Sequence, residues 1–231
     1  MMHIHDGNET TPKIAVVGVG GAGCNFVDHV TRCASPYHTI AINTDRQALV
    51  STCADKRMYI CRQVTRGQGT GGDSLLGRRC AQAHEADIAE ALGGFDIVFI
   101  VAGLGGGTGT GAAPVVADIA QNVGAMTLAI AITPFGFEDA RARTALVGYG
   151  NLRSKCSMVA TVDNGKVAEE YPGLTMKGVF RMVNEAIAMK LTSYEKKIMA
   201  AFRKQLGDIG GLVEDRSAVS GAFGMGMAQA L

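Results

Sequence analysis

The chain has 231 residues, of which 47% are apolar and 19% charged, so it is long enough to bury a sizeable core as one α/β unit or as a domain with an extension. Lysine and arginine number 22 against 21 aspartate and glutamate residues, a balance that excludes a broad basic face for nucleic acid and an acidic tail for a cationic partner. No apolar run approaches a membrane span, and the polar start "MMHIHDGNETTPK" lacks a signal-peptide core, so we expect a cytoplasmic protein with a flexible segment at 1–11.

Cysteines are scattered along the chain, without a C-x-x-C pair and without histidine at metal-ligand spacing. They are Cys24, Cys33, Cys53, Cys61, Cys80 and Cys156. The sequence therefore indicates neither a metal site nor a disulfide framework. We expect these cysteines to be small buried residues in a reducing compartment.

Short apolar or β-branched runs alternate with helical patterns through most of the chain. The predicted strands are 13–18, 39–43, 57–61, 95–102, 126–132 and 157–162. The predicted helices are 22–33, 46–53, 74–92, 110–122 and 139–154. This alternation predicts an α/β domain over 12–170, with a doubly wound, mostly parallel sheet covered on both faces.

After Pro172 the pattern changes to that of a long helix. Apolar residues recur at spacings of three and four from Met176 to Ile198, which predicts an amphipathic helix within 171–206 that packs along the α/β domain. Residues 207–231 are rich in glycine and methionine and predict a loop followed by a terminal helix.

The first predicted strand leads directly into a glycine-rich turn, "GVGGAGCN". Gly18, Gly20 and Gly23 satisfy G-x-G-x-x-G, and Asp45 follows at about the distance expected of an acid that binds a ribose. Glycines at such a turn let backbone N–H groups approach a phosphate at a helix N-terminus. By itself this motif predicts a dinucleotide site, and the alternative is a tight turn without a ligand.

Two further glycine-rich loops follow later strands. "TRGQGTGGD" occupies 65–73, and "GLGGGTGTGAAP" occupies 103–114, where Thr108 and Thr110 add hydroxyl groups. The chain has no G-x-x-x-x-G-K-[ST], which excludes a P-loop. Loops after parallel strands meet at the carboxyl edge of the sheet, so the three together predict a ligand more highly charged than a pyrophosphate bridge.

Six motifs, in this order, resemble the GTP-binding domain of the FtsZ and tubulin cytoskeletal GTPases, and FtsZ more closely, over about residues 13–190. They are "GVGGAGCN", "NTDRQAL", "TRGQGTGGD", "GLGGGTGTGAAP", "TPFGFE" and "VDNGKV". The resemblance implies a GTPase that binds GTP or GDP with Mg²⁺ and assembles head to tail into cell-division filaments, with itself or with a related FtsZ-like subunit. It also implies that the link to a membrane goes through an adaptor.

The resemblance assigns ligand contacts residue by residue. Those near the phosphates are Gly20, Gly21, Ala22, Gly23, Cys24, Asn25, Thr44, Asp45, Gly71, Gly72, Gly105, Gly106, Gly107, Thr108, Gly109 and Thr110. Glu138 is placed at the ribose, and the residues placed at the guanine are Asn164, Phe180, Asn184 and Glu185. An asparagine beside a carboxylate complements the N–H donors and the O6 acceptor of guanine, whereas adenine leaves the acid facing an acceptor.

The sequence departs from the family pattern at three places. The family reads F-E-G-x-x-R, but "FEDARAR" leaves Arg141 and Arg143 as two candidates near the nucleotide. The acidic loop that completes hydrolysis on the neighbouring subunit's GTP, close to N-x-D-F-A-D, is not found. Its candidates by position are Asp208, Glu214 and Asp215, each of which is otherwise a solvated acid. The chain ends at Leu231, so we expect the family's C-terminal domain to be absent.

Two other functions compete with an assembling GTPase. A non-hydrolysing GTP-binding regulator or filament cap uses the same pocket with a degenerate acidic loop. An NAD-dependent oxidoreductase rests only on G-x-G-x-x-G and Asp45 and needs a catalytic acid or base at the crevice, which neither His38 nor His84 is well placed to supply.

Overall fold

The computed structural model describes the backbone of residues 12–224 and the side chains of residues 12–201. The predicted flexible segment at 1–11 lies outside the described residues. The strands within them are β1 Ile14–Val19, β2 His38–Asn43, β3 Lys56–Tyr59, β4 Ile97–Gly103, β5 Met126–Thr133 and β6 Met158–Asp163. They form one parallel sheet in the order β3-β2-β1-β4-β5-β6, which confirms the predicted doubly wound fold.

Helices connect the strands and cover the sheet. They are α1 Gly20–Arg32, α2 Arg46–Ser51, α3 Arg62–Thr65, α4 Ser74–Ala83, α5 Glu85–Leu92, α6 Gly107–Asn122, α7 Asp139–Arg153, α8 Asn164–Glu170 and α9 Met176–Gly224. Val98 and Phe99 point to opposite sides of central strand β4, and both are fully buried. Both faces of the sheet are therefore covered, as the continuous apolar strands predict.

The strand order fixes where a ligand can enter. From β1 the chain moves outward through β2 and β3, then returns to β4 on the other side of β1 and continues through β5 and β6. Connections that leave two neighbouring strands in opposite directions open a crevice at the carboxyl ends of those strands. The glycine-rich loops that follow β1 and β4 both lie at this reversal.

Several elements differ from the sequence prediction. The helix predicted over 74–92 is divided at His84, and the short helices α3 and α8 were missed. The long helix is continuous from Met176 to Gly224, so the loop predicted after residue 206 is helical instead. The five glycines of 207–224 predict a break, because each costs a helix about 1 kcal/mol relative to alanine, but glycine keeps its backbone N–H for the helix and no proline follows Pro172.

The chain divides into two compact units at residues 188 and 189, inside α9. The first unit holds the whole sheet, the helices from α1 to α8 and the beginning of α9. In residues 12–224 there is no helix with the length and apolar character needed to span a bilayer.

The cysteines correct two expectations. Cys61 and Cys80 form a disulfide, with their Cα atoms 5.1 Å apart. Sequence spacing did not reveal this pair, because β3 and α4 bring the two residues together only in the folded chain. Cys33 and Cys53 are exposed rather than buried. Cys24 and Cys156 are buried as expected, and burial raises the pKa of Cys156 to about 12.

Candidate functional site

The turn after β1 uses its glycines in two different ways. A Cβ on Gly18 would overlap the carbonyl oxygen of Gly23, and one on Gly23 would overlap that of Val101, so these two glycines allow α1 to pack closely on the sheet. Gly20 has φ +74°, the left-handed region that favours glycine. At Gly21 an added Cβ meets nothing within 4 Å. Gly21 is thus open to a ligand, whereas the other glycines serve the turn itself.

The glycines of the loop after β4 also fall into two groups, those that the turn requires and those with open space. Gly105 has φ +93°, and a Cβ on Gly109 would overlap the carbonyl oxygen of Gly103. Gly106, the residue just before α6, has open space at its Cβ position. The Gly105 N–H donates to Oγ1 of Thr110 at 2.8 Å, so this hydroxyl holds the loop together instead of facing a ligand.

The N-termini of α1 and α6 carry no side-chain cap. The starts of α3, α5 and α7 are also uncapped, whereas α2, α4 and α8 are each capped by an aspartate, Asp45, Asp73 and Asp163, which accepts a backbone N–H at 2.9 to 3.0 Å. An uncapped helix start keeps free backbone donors at the positive end of the helix dipole. Two such starts beside one crevice form an anion-binding arrangement.

The third loop, residues 61–73, is held against the turn after β2 and the start of α6. Thr65 Oγ1 donates to the carbonyl of Thr44 at 3.0 Å, and the hydroxyls of Thr44 and Thr108 share a hydrogen bond of 2.7 Å. The Arg46 N–H donates to the Gly67 carbonyl at 3.1 Å. These contacts connect the ends of β2 and β3 to the start of α6.

The opposite end of the crevice combines an ion pair with aromatic rings. Arg141 Nη1 contacts Glu138 Oε1 at 2.6 Å, and Glu138 Oε2 accepts the Phe135 N–H at 3.2 Å. The Phe135 ring stacks on Phe137 with centroids 5.3 Å apart and lies 6.2 Å from the ring of Phe180 on α9. The positive charge of Arg141 is thus balanced by a carboxylate at this end of the cleft.

These features border one cavity of about 600 Å³, which we call the glycine cleft. The predicted site residues that line it are Gly21, Ala22, Asn25, Asp45, Gly71, Gly72, Gly106, Gly107, Thr108, Gly109, Glu138, Arg141, Asn164, Phe180 and Asn184. The cleft thus joins both uncapped helix starts, the third loop and the aromatic end.

Other predicted residues do not line the glycine cleft. They are Gly20, Gly23, Cys24, Thr44, Gly105, Thr110, Arg143 and Glu185. Cys24 is 1% exposed, and burial raises the pKa of its thiol to about 12. The Glu185 carboxylate lies 4.0 Å from the Arg181 guanidinium, and its contact with guanine stays a prediction. The side chains of Asp208, Glu214 and Asp215 lie outside the described residues.

Sequence reasoning missed several lining residues. They include Asn43, Thr70, Phe135, Phe137 and Met176. The Asn43 Oδ1 accepts the N–H groups of Thr44 at 2.8 Å and of Asp45 at 3.2 Å, so it shapes the turn after β2. Its place at the carboxyl end of a parallel strand was the available signal. Asn164 is notable because its buried Oδ1 has no hydrogen-bond partner in the protein.

Comparison with known proteins identifies relatives of this arrangement. The family model described as Tubulin/FtsZ family, GTPase domain, matches residues 13–172. The chain is 42% identical over 177 residues to cell division protein FtsZ 1 of Thermococcus kodakarensis, across 76% of this chain and 48% of the relative. It is 39% identical over 178 residues to cell division protein FtsZ 2 of Haloferax volcanii, across 77% of this chain and 44% of the relative. The matched part thus spans about half the length of these curated relatives.

Solved structures show the same fold. An FtsZ dimer of M. jannaschii, described as empty, superposes with a TM-score of 0.73 at 40% identity, over 77% of this chain and 52% of that one. CetZ2 from Haloferax volcanii, in a GTPγS-bound protofilament, superposes with a TM-score of 0.71 at 26% identity, over 79% and 58% of the two chains. These matches remove the basis of the NAD-dependent oxidoreductase alternative, because the G-x-G-x-x-G turn occurs here in a different nucleotide-binding family.

Proposed function

Because the chain belongs to the tubulin/FtsZ family of GTPase domains, we propose that its glycine cleft binds GTP and that the protein hydrolyses GTP to GDP and phosphate within a head-to-tail filament. One observation carries this proposal. The uncapped N-termini of α1 and α6 border one cleft at the reversal of the strand order. A triphosphate has the charge and the acceptor oxygens that two such helix starts require.

The phosphate end of the cleft fits the triphosphate by its donors and by its space. Gly21 and Gly106 leave room for phosphate oxygens to approach the backbone closely. Thr108 supplies a hydroxyl at the cleft surface, and Gly71 and Gly72 form the wall on the side of the third loop. The groups proposed to hold the phosphates are therefore mainly backbone N–H groups. These donors bind an anion without a large positive charge on the side chains.

The other end of the cleft fits a purine base. Phe180 offers an aromatic face, and Asn184 adds an amide one helical turn further along α9. The unpartnered Oδ1 of Asn164 needs a donor, which guanine or the ribose supplies through N–H or O–H groups. Glu138 is proposed to contact the ribose, with Arg141 holding its carboxylate in place.

Mg²⁺ is proposed to bind with the nucleotide. This ion usually keeps several waters and is held by substrate phosphates together with one or two carboxylates, and it neutralises charge that develops on the phosphates. Among the side chains of residues 12–201 there is no group of three or more His, Cys, Asp or Glu that could hold a metal by itself. In the proposal, the phosphates of the nucleotide supply the main ligands of the metal.

Hydrolysis is proposed to be completed in trans. Water attacks the γ-phosphorus, the bond to the β-phosphate oxygen breaks, and GDP and phosphate leave. The candidates for positioning that water on the next subunit's nucleotide are Asp208, Glu214 and Asp215. All three lie within α9.

One observation favours a second function, a GTP-binding regulator or cap that does not hydrolyse GTP. The backbone of α9 remains helical through Asp208 and Glu214, at the position where a catalytic loop is expected. A helix holds these carboxylates at fixed spacings, whereas a loop is free to wrap around a neighbouring subunit's phosphate.

Turnover at increasing protein concentration tests the proposal. An assembling GTPase gives a rate per subunit that rises steeply with concentration, whereas a regulator binds GTP with flat, near-zero turnover. The trans step is tested by mixing two impaired variants, at a GTP concentration that saturates the wild type but not Gly106→Ala. Gly106→Ala impairs the nucleotide site, and Glu214→Ala, with Asp208→Ala and Asp215→Ala made in parallel, removes one candidate acid. Turnover restored in a mixture supports catalysis between subunits, and turnover that stays at the sum of the separate variants contradicts it.

A further inference from the structure

The disulfide between Cys61 and Cys80 encloses the third loop of the glycine cleft. We propose that this disulfide is a thiol–disulfide exchange site, that its partner is a dithiol reductant, and that its reduction loosens the loop and releases bound nucleotide. The effect on the nucleotide rests on the proposed function. The effect on the loop does not.

The bridge joins the two ends of the segment that forms one wall of the cleft. Cys61 follows β3, and Cys80 lies in α4, 19 residues further along the chain. Between them, residues 69–72 line the glycine cleft. The segment also meets the start of α6, because a Cβ on Gly107 would overlap Thr70 Oγ1 and one on Gly77 would overlap the Gly107 carbonyl oxygen. A change at the bridge therefore reaches the phosphate end of the cleft through direct packing.

The backbone of the loop depends on its anchors. Cys61 has φ +61° and Arg66 has φ +49°, a conformation that residues with a side chain rarely adopt. Such conformations persist only where the surroundings hold them. The non-covalent anchors are the Cys61 N–H, which donates to His84 Nε2 at 2.9 Å, and the hydrogen bonds that tie Thr65 and Gly67 to the turn after β2. The disulfide is the covalent anchor, and it is the one that a redox reaction removes.

Burial determines which sulfur an incoming thiol reaches. Cys80 is fully buried, whereas Cys61 is half-buried. A thiolate of the dithiol therefore attacks Sγ of Cys61, the S–S bond breaks, and Cys80 leaves as a thiolate that takes up a proton. The second thiol of the reductant then attacks the mixed disulfide and releases Cys61. The reductant becomes a disulfide, and its two electrons and two protons end on Cys61 and Cys80.

The reduced loop loses its covalent closure and explores more conformations. We expect amide hydrogens at 62–73 to exchange faster, including those of Arg66, Gln68 and Asp73, which donate to carbonyls within the loop. We also expect bound GDP to dissociate about fivefold faster or more, the lower end of typical coupling between sites.

The experiment uses the full chain in three forms: oxidised with glutathione disulfide, reduced with dithiothreitol, and Cys61→Ser. Peptide mapping after alkylation identifies the Cys61–Cys80 link, hydrogen exchange follows residues 62–73, and displacement of a fluorescent GDP analogue gives the release rate. A Cys33→Ser/Cys53→Ser variant is the matched control, because it removes the two exposed thiols and keeps the bridge.

The expected result is faster loop exchange and faster release in the reduced and Cys61→Ser forms, with the control responding to dithiothreitol like the wild type. Oxidised protein without the Cys61–Cys80 link, or equal loop exchange in the oxidised and reduced forms, overturns the inference. If no guanine nucleotide binds either form, the proposed function fails and the claim about nucleotide release fails with it, while a redox-dependent change in loop exchange still supports the switch itself.

Discussion

Replacing Gly106 with alanine should weaken GTP binding while leaving the free energy of unfolding almost unchanged. Gly106 lines the glycine cleft just before α6, and an added Cβ meets no protein atom within 4 Å. Its φ of −90° is accessible to alanine, so the free energy of unfolding without nucleotide should change by less than about 1 kcal/mol. In the proposed binding mode, the added methyl group takes the space of a phosphate oxygen beside the uncapped helix start.

The size of the binding loss follows from the contacts that are displaced. A hydrogen bond to a charged group contributes about 1.5–3 kcal/mol. Losing one backbone N–H contact to a phosphate should therefore weaken GTP binding by about 10- to 100-fold. Calorimetric titration with GTP measures this, and thermal unfolding without nucleotide measures the stability.

Two other glycines provide controls for Gly106→Ala. Gly150 lies in α7 with open space at its Cβ position and does not line the cleft, so Gly150→Ala should leave affinity unchanged and raise stability by about 1 kcal/mol. At Gly109 an added Cβ would overlap the Gly103 carbonyl oxygen, so Gly109→Ala should lower the free energy of unfolding by about 1–3 kcal/mol. Wild-type GTP affinity in Gly106→Ala would refute the reasoning, because the open space would then not be where the phosphates bind.

Three further predictions concern the other end of the cleft and the thiols. Arg141→Ala should weaken GTP binding about fivefold or more and Arg143→Ala less than twofold, because only Arg141 lines the cleft and pairs with a carboxylate there. Calorimetric titration measures both affinities, and equal losses would contradict this reasoning. Asn164→Ala should weaken GTP binding without lowering the stability of the ligand-free protein, since it removes a buried acceptor that has no partner; a stability loss above about 1 kcal/mol would show that the oxygen has one. A raised pKa keeps a thiol protonated, so Cys24, with its pKa of about 12, should resist iodoacetamide at pH 8 while the exposed Cys33 reacts. Peptide mass mapping measures the labelling of both cysteines, and rapid labelling of Cys24 in folded protein would contradict its burial.

Much of the fold could be predicted because the sheet is buried on both faces. A run such as "FDIVFIVA" is apolar at every position, as a central parallel strand must be, and it became β4. The short helix α8 was missed because "NGKVAEE" has a glycine near its start and none of its residues is buried, so it lacks the periodic apolar face that reveals a helix.

The site was predicted less evenly than the fold. A glycine pattern indicates that the backbone must turn or approach closely, but it does not say which glycine serves the turn and which faces a ligand. Gly21 and Gly23 look alike in the sequence, yet Gly23 packs against a strand carbonyl and Gly21 is open. Similarly, spacing left Arg141 and Arg143 equivalent, and only the direction of α7 from the end of β5 brings Arg141 to the cleft. The Cys61–Cys80 bridge depends on tertiary contacts that no local pattern encodes.

The central claim is that the glycine cleft binds a guanine nucleotide through two uncapped helix starts. Its most direct test is a competition titration of the wild-type chain, in which GTP, ATP and NAD displace a fluorescent GTP analogue in the presence of Mg²⁺. The account predicts displacement by GTP at one site per chain, with the affinities for ATP and NAD at least tenfold weaker. Such a difference is expected when buried polar groups match the edge of one base. Displacement by NAD without displacement by GTP, or no binding of the analogue by folded protein, would contradict it.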